Sequence, residues 1–213
     1  MGGHERRIKD NEGRVDVVGR VMIGFFGLAL IASPAIAQGL TSKGNEFLTA
    51  LRESNGGKAM RLVEDSGYTV INHRADDGST ALHIVIRTRN SNWLGYLLAN
   101  GADKDAGDKK GDTPLILAAR SGYGEGVARL LMSRAQVDKA NRLGETALIV
   151  AVQQRHAAIV SSLLKLGANP DKRDHAAGFS ARDYAKRDSR SKDMLKLIET
   201  VKSRASEIGQ PAG

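Results

Sequence analysis

The chain has 213 residues, 41% of them hydrophobic but only 4% aromatic, and a formal net charge of +8. A core so poor in rings must rest on Leu, Val, Ile and Ala, which suits thin helices better than a sheet sandwich. The absence of cysteine excludes disulfides and thiolate metal sites, while the basic balance favours anionic partners such as nucleic acid, acidic lipid or acidic protein surfaces.

In chain order, the first feature is the apolar run Val21–Ser33, preceded by Arg14 and Arg20 and followed by Ala35-Ile36-Ala37. A positive flank, a short apolar stretch and a small-x-small end are the parts of a secretory signal peptide, so residues 1–37 are expected to direct export, with cleavage after Ala37. Glu5, Asp10, Glu12 and Asp16 dilute the positive flank, which fits a start site nearer the apolar run. The alternative is an uncleaved membrane anchor over residues 21–37, although the run is short for a span of about 20 residues. Without residues 1–37 the chain stays basic.

Residues 38–76 read as a degenerate helix pair, with Phe47, Leu48 and Leu51 and then Met60, Leu62 and Val63 at helical spacing. Three segments then repeat at a period of 33 residues: 77–109, 110–142 and 143–175. They open with Gly78-Ser79-Thr80-Ala81-Leu82-His83, Gly111-Asp112-Thr113-Pro114-Leu115-Ile116 and Gly144-Glu145-Thr146-Ala147-Leu148-Ile149, and continue to the pairs Leu97-Leu98, Leu130-Leu131 and Leu163-Leu164. In the middle copy Thr113 suits a helix N-cap, and Pro114 suits the first helical position, where its missing N–H costs nothing. A short helix ending at Ser121-Gly122, a second over Gly124–Met132 and a turn-rich loop over Val137–Gly144 complete the unit. None of these units can bury its apolar face alone, so the period predicts a stack.

These segments resemble ankyrin repeats, whose pattern runs G-x-T-P-L-H-x-A-A-x-x-G, a Leu-Leu pair, then G-A-D. The resemblance covers about residues 41–201. It implies an all-α solenoid of stacked helix-turn-helix units with projecting β-turn fingers; with the signal-like segment, the expected type is an exported, periplasmic bacterial one. The opening recurs one residue out of step at Gly178-Phe179-Ser180, so 176–201 is expected to be a capping repeat and 202–213 a disordered tail. Thr80, His83, Thr113, Pro114 and Thr146 take the family's structural turn positions, but Ile116 and Ile149 replace the histidine. Arg134 stands where Gly101 and Gly167 end a helix, and Arg89 and Arg155 stand where Gly122 does. If these arginines keep a left-handed backbone, each costs about 1 kcal/mol, and the array should be less rigid than a consensus one.

Chemistry is hard to find. The five histidines lack a metal-binding spacing, and no nucleophile elbow, phosphate loop or dinucleotide fingerprint occurs. His73 and His175 are expected to be solvated in fingers, and Asp76-Asp77 to serve a turn. We expect no enzyme activity, cofactor or metal. In the family pattern, the residues before the first helix's terminal glycine face a concave groove: Arg87-Thr88, Arg120-Ser121, Gln153-Gln154 and Lys186-Arg187. Lys109, Lys110, Lys139, Arg142, Lys172 and Arg173 at the fingers add positive charge, offset by Asp105, Asp108, Asp138, Asp171 and Asp174. The expected site is therefore a basic row, flanked by Tyr123 and His156, that binds an acidic protein partner. The competing reading is a solvated face. A monomer, periplasmic or secreted, with no nucleic-acid role, completes the expectation; electrostatic attachment to an anionic polymer or membrane is the alternative function.

Overall fold

The computed structural model describes residues 34–66, 68–188 and 193–200, all within one compact unit. The expected signal run at 21–33 and the expected tail at 202–213 lie outside these residues. Among the described residues the chain forms helices α1 (Pro34–Arg52), α2 (Gly56–Ser66), α3 (Ala81–Arg87), α4 (Ser91–Ala99), α5 (Pro114–Arg120), α6 (Gly124–Met132), α7 (Ala147–Gln153), α8 (Ala157–Lys165) and α9 (Ala181–Arg187) in order. Residues 193–200 are also helical. The first helix begins ahead of Thr41, and the expected cleavage point after Ala37 falls inside it. No named strand occurs among the described residues, where the one isolated bridge joins Arg173 and Ser180.

Each repeat forms a helix pair: α3 with α4, α5 with α6, α7 with α8. The first helices stack on one another from α1 through α3, α5 and α7 to α9, while α4, α6 and α8 form an outer row. The reason is periodic burial. Leu82, Leu115 and Leu148 on the inner helices and Leu97, Leu130 and Leu163 on the outer ones are all buried, each contributing about 1.5–3 kcal/mol of apolar transfer. Met194 and Ile198 extend the same core past α9.

Helix starts follow from the threonines. Thr113 Oγ1 accepts from Ile116 N at 3.2 Å and Thr146 Oγ1 from Ile149 N at 3.3 Å, satisfying backbone donors that the first turn leaves over. Pro114 occupies the first helical position. Ser180 caps α9 through Asp183 N; the one-residue offset arises in the finger before it, where Asp174 N donates to Phe179 O five residues on, against four in the earlier fingers.

Between helix pairs the chain makes tight hairpin fingers without forming named strands. Within a finger, Ala75 N donates to Ser79 O, Asp108 N to Asp112 O, and Asn141 N to Glu145 O, at 2.9–3.0 Å. Each finger also bonds its predecessor: Lys109 N to Asp77 O at 2.9 Å, Arg142 N to Lys110 O at 3.0 Å, and His175 N to Leu143 O at 2.7 Å. Gly111 sits at φ +79°, and a Cβ there would meet Arg142 N at 2.8 Å. The repeat's leading glycine is thus fixed by both handedness and the close approach of the next finger.

A second ladder repeats with the period. Asn72 Oδ1 accepts from Asp103 N, Asp105 Oδ1 from Gln136 N and Asp138 Oδ1 from Asn169 N, at 2.7–2.9 Å. At the fourth position, Asp171 accepts from Arg182 Nε at 2.7 Å.

Arg89, Arg134 and Arg155 do take left-handed backbones, with φ of 51°, 62° and 59°. Arg89 Nη2 donates to Ser121 O at 2.6 Å and Arg155 Nε to Asp188 Oδ2 at 2.6 Å. Both sit at inner-helix ends, and both reach the corresponding turn of the next unit. Arg134, at the end of outer helix α6, makes no such bond among the described residues.

Candidate functional site

A groove of about 720 Å³ lies between the fingers and the inner helices. The fingers line it with Asp77, Asp108, Lys109, Lys110, Asp112, Asn141, Arg142, Leu143 and Glu145, and the inner helices with Arg87, Leu117 and Arg120.

Its floor is a polar network. Arg120 Nη2 donates to Asp112 Oδ1 at 3.1 Å and approaches Glu145 Oε2 at 3.5 Å. Asn141 Nδ2 donates to the same Asp112 oxygen at 2.7 Å and to Glu145 Oε2 at 2.8 Å. The Asp112 and Glu145 side chains are only 8% and 14% exposed. Carboxylates so far from water persist where donors surround them, and here Arg120 and Asn141 supply those donors. Asp108 Oδ1 accepts from Lys110 N and Asp112 N at 2.8 and 3.0 Å. In the last finger burial disfavours charge on Asp174, but Tyr184 OH and the N–H groups of Ala177, Phe179 and Gly178 hold its carboxyl below the usual range.

The groove is therefore not simply basic. Its lining carries five cations and four carboxylates, and most of the expected offsetting aspartates are consumed inside the fold. Arg87 lies 3.9 Å from both Asp77 and Asp108, and Arg120 is locked in the floor. Lys109, Lys110 and Arg142 are exposed, and none forms an ion pair among the described residues.

The structure brings Arg87 and Arg120 together but separates the rest of the row. Gln153 and Arg187 line a smaller concavity with Tyr184. The Arg187 guanidinium lies 4.4 Å from the Phe179 ring centroid. Gln154 is the exposed C-cap of α7, and Lys186 is exposed near the end of α9. Tyr123 is buried, with its ring against Gly126 and beneath Arg89, so it packs between units rather than offering partner contact. His156 is half-buried, its ring over Gly122. His73 is not a solvated finger residue: its ring lies against Gly44 of α1, and Nε2 bonds Asn45 at 3.0 Å. His175 is exposed.

His83 is fully buried. Thr80 N and Oγ1 lie 3.2 and 2.9 Å from its Nδ1, and Nε2 lies 2.8 Å from Asp112 O. This network assigns the proton to Nε2, which donates to the next unit, while Nδ1 accepts. Burial lowers the His83 pKa, against the opposing effects of Asp112 and Asp108. The histidine is a neutral clamp between units, placed directly behind the floor carboxylate.

The missed features are the Asp112–Arg120–Asn141–Glu145 floor and the forward-reaching arginines. The signal was present in Asp112 and Glu145 at the same repeat position, with Arg120 eight residues after Asp112; eight residues span about two helical turns. Among the described residues, no group of three or more His, Asp and Glu side chains could hold a metal ion, and no helix is long and apolar enough to cross a membrane. The family model for ankyrin repeats matches in three copies, over residues 41–141 and 108–174. No curated protein matches the chain.

Proposed function

The chain belongs to the ankyrin repeat family, and from that premise we propose that it is a non-enzymatic scaffold of the cell envelope that binds one protein through the groove and finger tips. Ankyrin repeats generally mediate protein–protein interaction. The observation that carries the reading is the groove: a hydrogen-bonded floor of one arginine, one asparagine and two carboxylates, beside which Lys109, Lys110 and Arg142 stand exposed with no ion-pair partner among the described residues. Exposed cations beside a satisfied floor add on-rate and selectivity toward an acidic partner. The envelope location rests on the signal-like segment before Gln38, and a mature N-terminus at Gln38 is its direct mass-spectrometric test.

Capture from an envelope extract should separate the faces. The variant Arg87→Glu, Lys110→Glu, Arg142→Glu should lose the partner, while Ala128→Glu with Lys165→Glu on the outer helices should retain it. A partner that tolerates the groove substitutions, or is lost from the outer-face variant, contradicts the assignment. Arg120 is a poor test position because its replacement strips the floor.

A second reading is electrostatic attachment to an anionic polymer or membrane surface, favoured by the net charge of +8. Such binding should weaken steeply with salt and discriminate little between partners.

A further inference from the structure

The finger tips carry a charge order along the stack. The first tip is Asp76-Asp77, the second Lys109-Lys110, the third Arg142-Leu143. At the acidic end, Asp77 is tied into its own turn. Ser79 N and Oγ both donate to the Asp77 carboxylate at 2.9 Å, and the backbone bond, more than the nearby Arg87, holds its pKa below the ordinary value. Lys109, Lys110 and Arg142 have no ion-pair partner among the described residues. Leu143 beside Arg142 is 55% exposed, one of few large apolar side chains left so open.

The spacing of this order follows from the backbone. Each finger contributes two chain passes, bonded to each other and to the preceding finger, as Asp108 N to Asp112 O and Lys109 N to Asp77 O show. With neighbouring extended chains about 4.8 Å apart, successive tips lie roughly 10 Å apart. A segment in the polyproline II conformation, at about 3.1 Å per residue and three residues per turn, advances about 9 Å every third residue and returns every third side chain to the same face. A β-strand of similar reach would turn the middle of three such residues away from the tips, and a helix, at about 1.5 Å per residue, would match successive tips only at every seventh residue.

We propose that the finger tips select a protein segment in the polyproline II conformation, in which one basic and two acidic residues follow at intervals of three, with an apolar residue beside the last acidic one. The basic residue faces Asp76 and Asp77, the first acidic residue Lys109 and Lys110, and the second Arg142, with the apolar neighbour on Leu143. This deepens the groove reading and rests on it, adding order and spacing to a preference for acidic partners. Misordering puts like charges opposite one another, which is where discrimination is strongest.

The probe is a fluorescein-labelled peptide, Lys-Ser-Thr-Glu-Ser-Thr-Glu-Leu, tested with its reversed sequence because the tips do not fix chain direction. Its misordered counterpart is Glu-Ser-Thr-Lys-Ser-Thr-Glu-Leu, of identical composition. Anisotropy titrations should show one ordered peptide binding about tenfold more tightly than the misordered one, as expected for two or three exposed charge pairs made rather than opposed. The triple variant Asp76→Lys, Lys109→Glu, Lys110→Glu, checked for unchanged helicity, should reverse that preference. Equal affinity for both orders is the mark of a surface that reads net charge alone, as an anionic polymer or membrane does, and overturns the proposal. No binding of any peptide, or no reversal in the variant, also overturns it. These outcomes leave the groove itself standing if partner capture still depends on Arg87, Lys110 and Arg142.

Discussion

On the outer helices from α4 to α8, the charged side chains are Glu125 and Arg129, which pair with each other at 2.9 Å, and Lys165. On the opposite side, the groove between fingers and inner helices gathers nine charged side chains, and its floor carboxylates are nearly buried. The arginines at helix ends follow the same division. Arg89 and Arg155, on the inner row, reach forward to the next unit, whereas Arg134, on the outer row, does not. Solubility alone requires no such asymmetry, because a repeat stack is wetted equally well by charge on its outer helices. The groove side holds the units in register and presents a charged edge; the outer side packs apolar stripes and shows little else.

Breaking the floor should have the largest effect. Asp112→Ala removes the acceptor shared by Arg120 and Asn141 and should cost about 2–3 kcal/mol in urea unfolding, the range for losing one partner of a largely buried, part-exposed charge network. A change below about 0.5 kcal/mol would mean that the network adds nothing to the stack.

Next in size is the clamp behind the floor. His83→Ile copies the residue found at 116 and 149, but leaves Asp112 O with Asp108 N as its remaining donor and removes the Nδ1 acceptor of Thr80 N, at a cost of about 1 kcal/mol at neutral pH. The sign with pH is definite. The folded-state pKa of His83 is depressed below the ordinary 6.5, so the folded protein binds fewer protons there than the unfolded chain does. Its contribution is complete above about pH 6.5 and is lost as pH falls from there toward the folded pKa. The wild type should lose stability on acidification through this window, and His83→Ile should lack that part of the slope. Hydrogen exchange should show the loss first at the finger around Asp112 and later in α4 and α6.

The left-handed arginines give a smaller contrast. Arg134→Gly relieves a positive φ without losing a bond and should stabilise by about 1 kcal/mol. Arg89→Gly gains the same relief but gives up the bond to Ser121 O and the contact over Tyr123, so its net change should be near zero. Equal melting-temperature gains for both variants would remove the distinction between inner and outer rows. Smallest of all, Met132→Lys on the outer face, where Met132 is 83% exposed, should stay within about 0.5 kcal/mol.

The helical plan was legible because it is local. A threonine before a Pro-Leu or Ala-Leu start, a terminal glycine and a Leu pair specify a helix-turn-helix within one unit, and the 33-residue period supplies the stack. The groove chemistry was legible only as a roster of charges. Whether Arg120 projects as a free cation depends on Glu145 and Asn141, 25 and 21 residues further on, and on the bond that brings Arg142 N to Lys110 O. Tyr123 illustrates the same limit: its position beside the row suggested a contact, but a Cβ on Gly126 would stand 2.3 Å from its ring. That glycine opens the slot in which the tyrosine is buried. Sequence spacing placed residues on the right side of the stack; contacts between units decided which of them remain free to act.

The most direct test is site-specific photo-crosslinking of the full chain in the cells that produce it, with a photoreactive residue in place of Leu143 in one variant and of Ala128 in another. The predicted result is one discrete protein adduct from position 143, dependent on Lys110 and Arg142, and none from position 128. An adduct from position 128 with none from 143 would contradict the assignment of the groove as the working face.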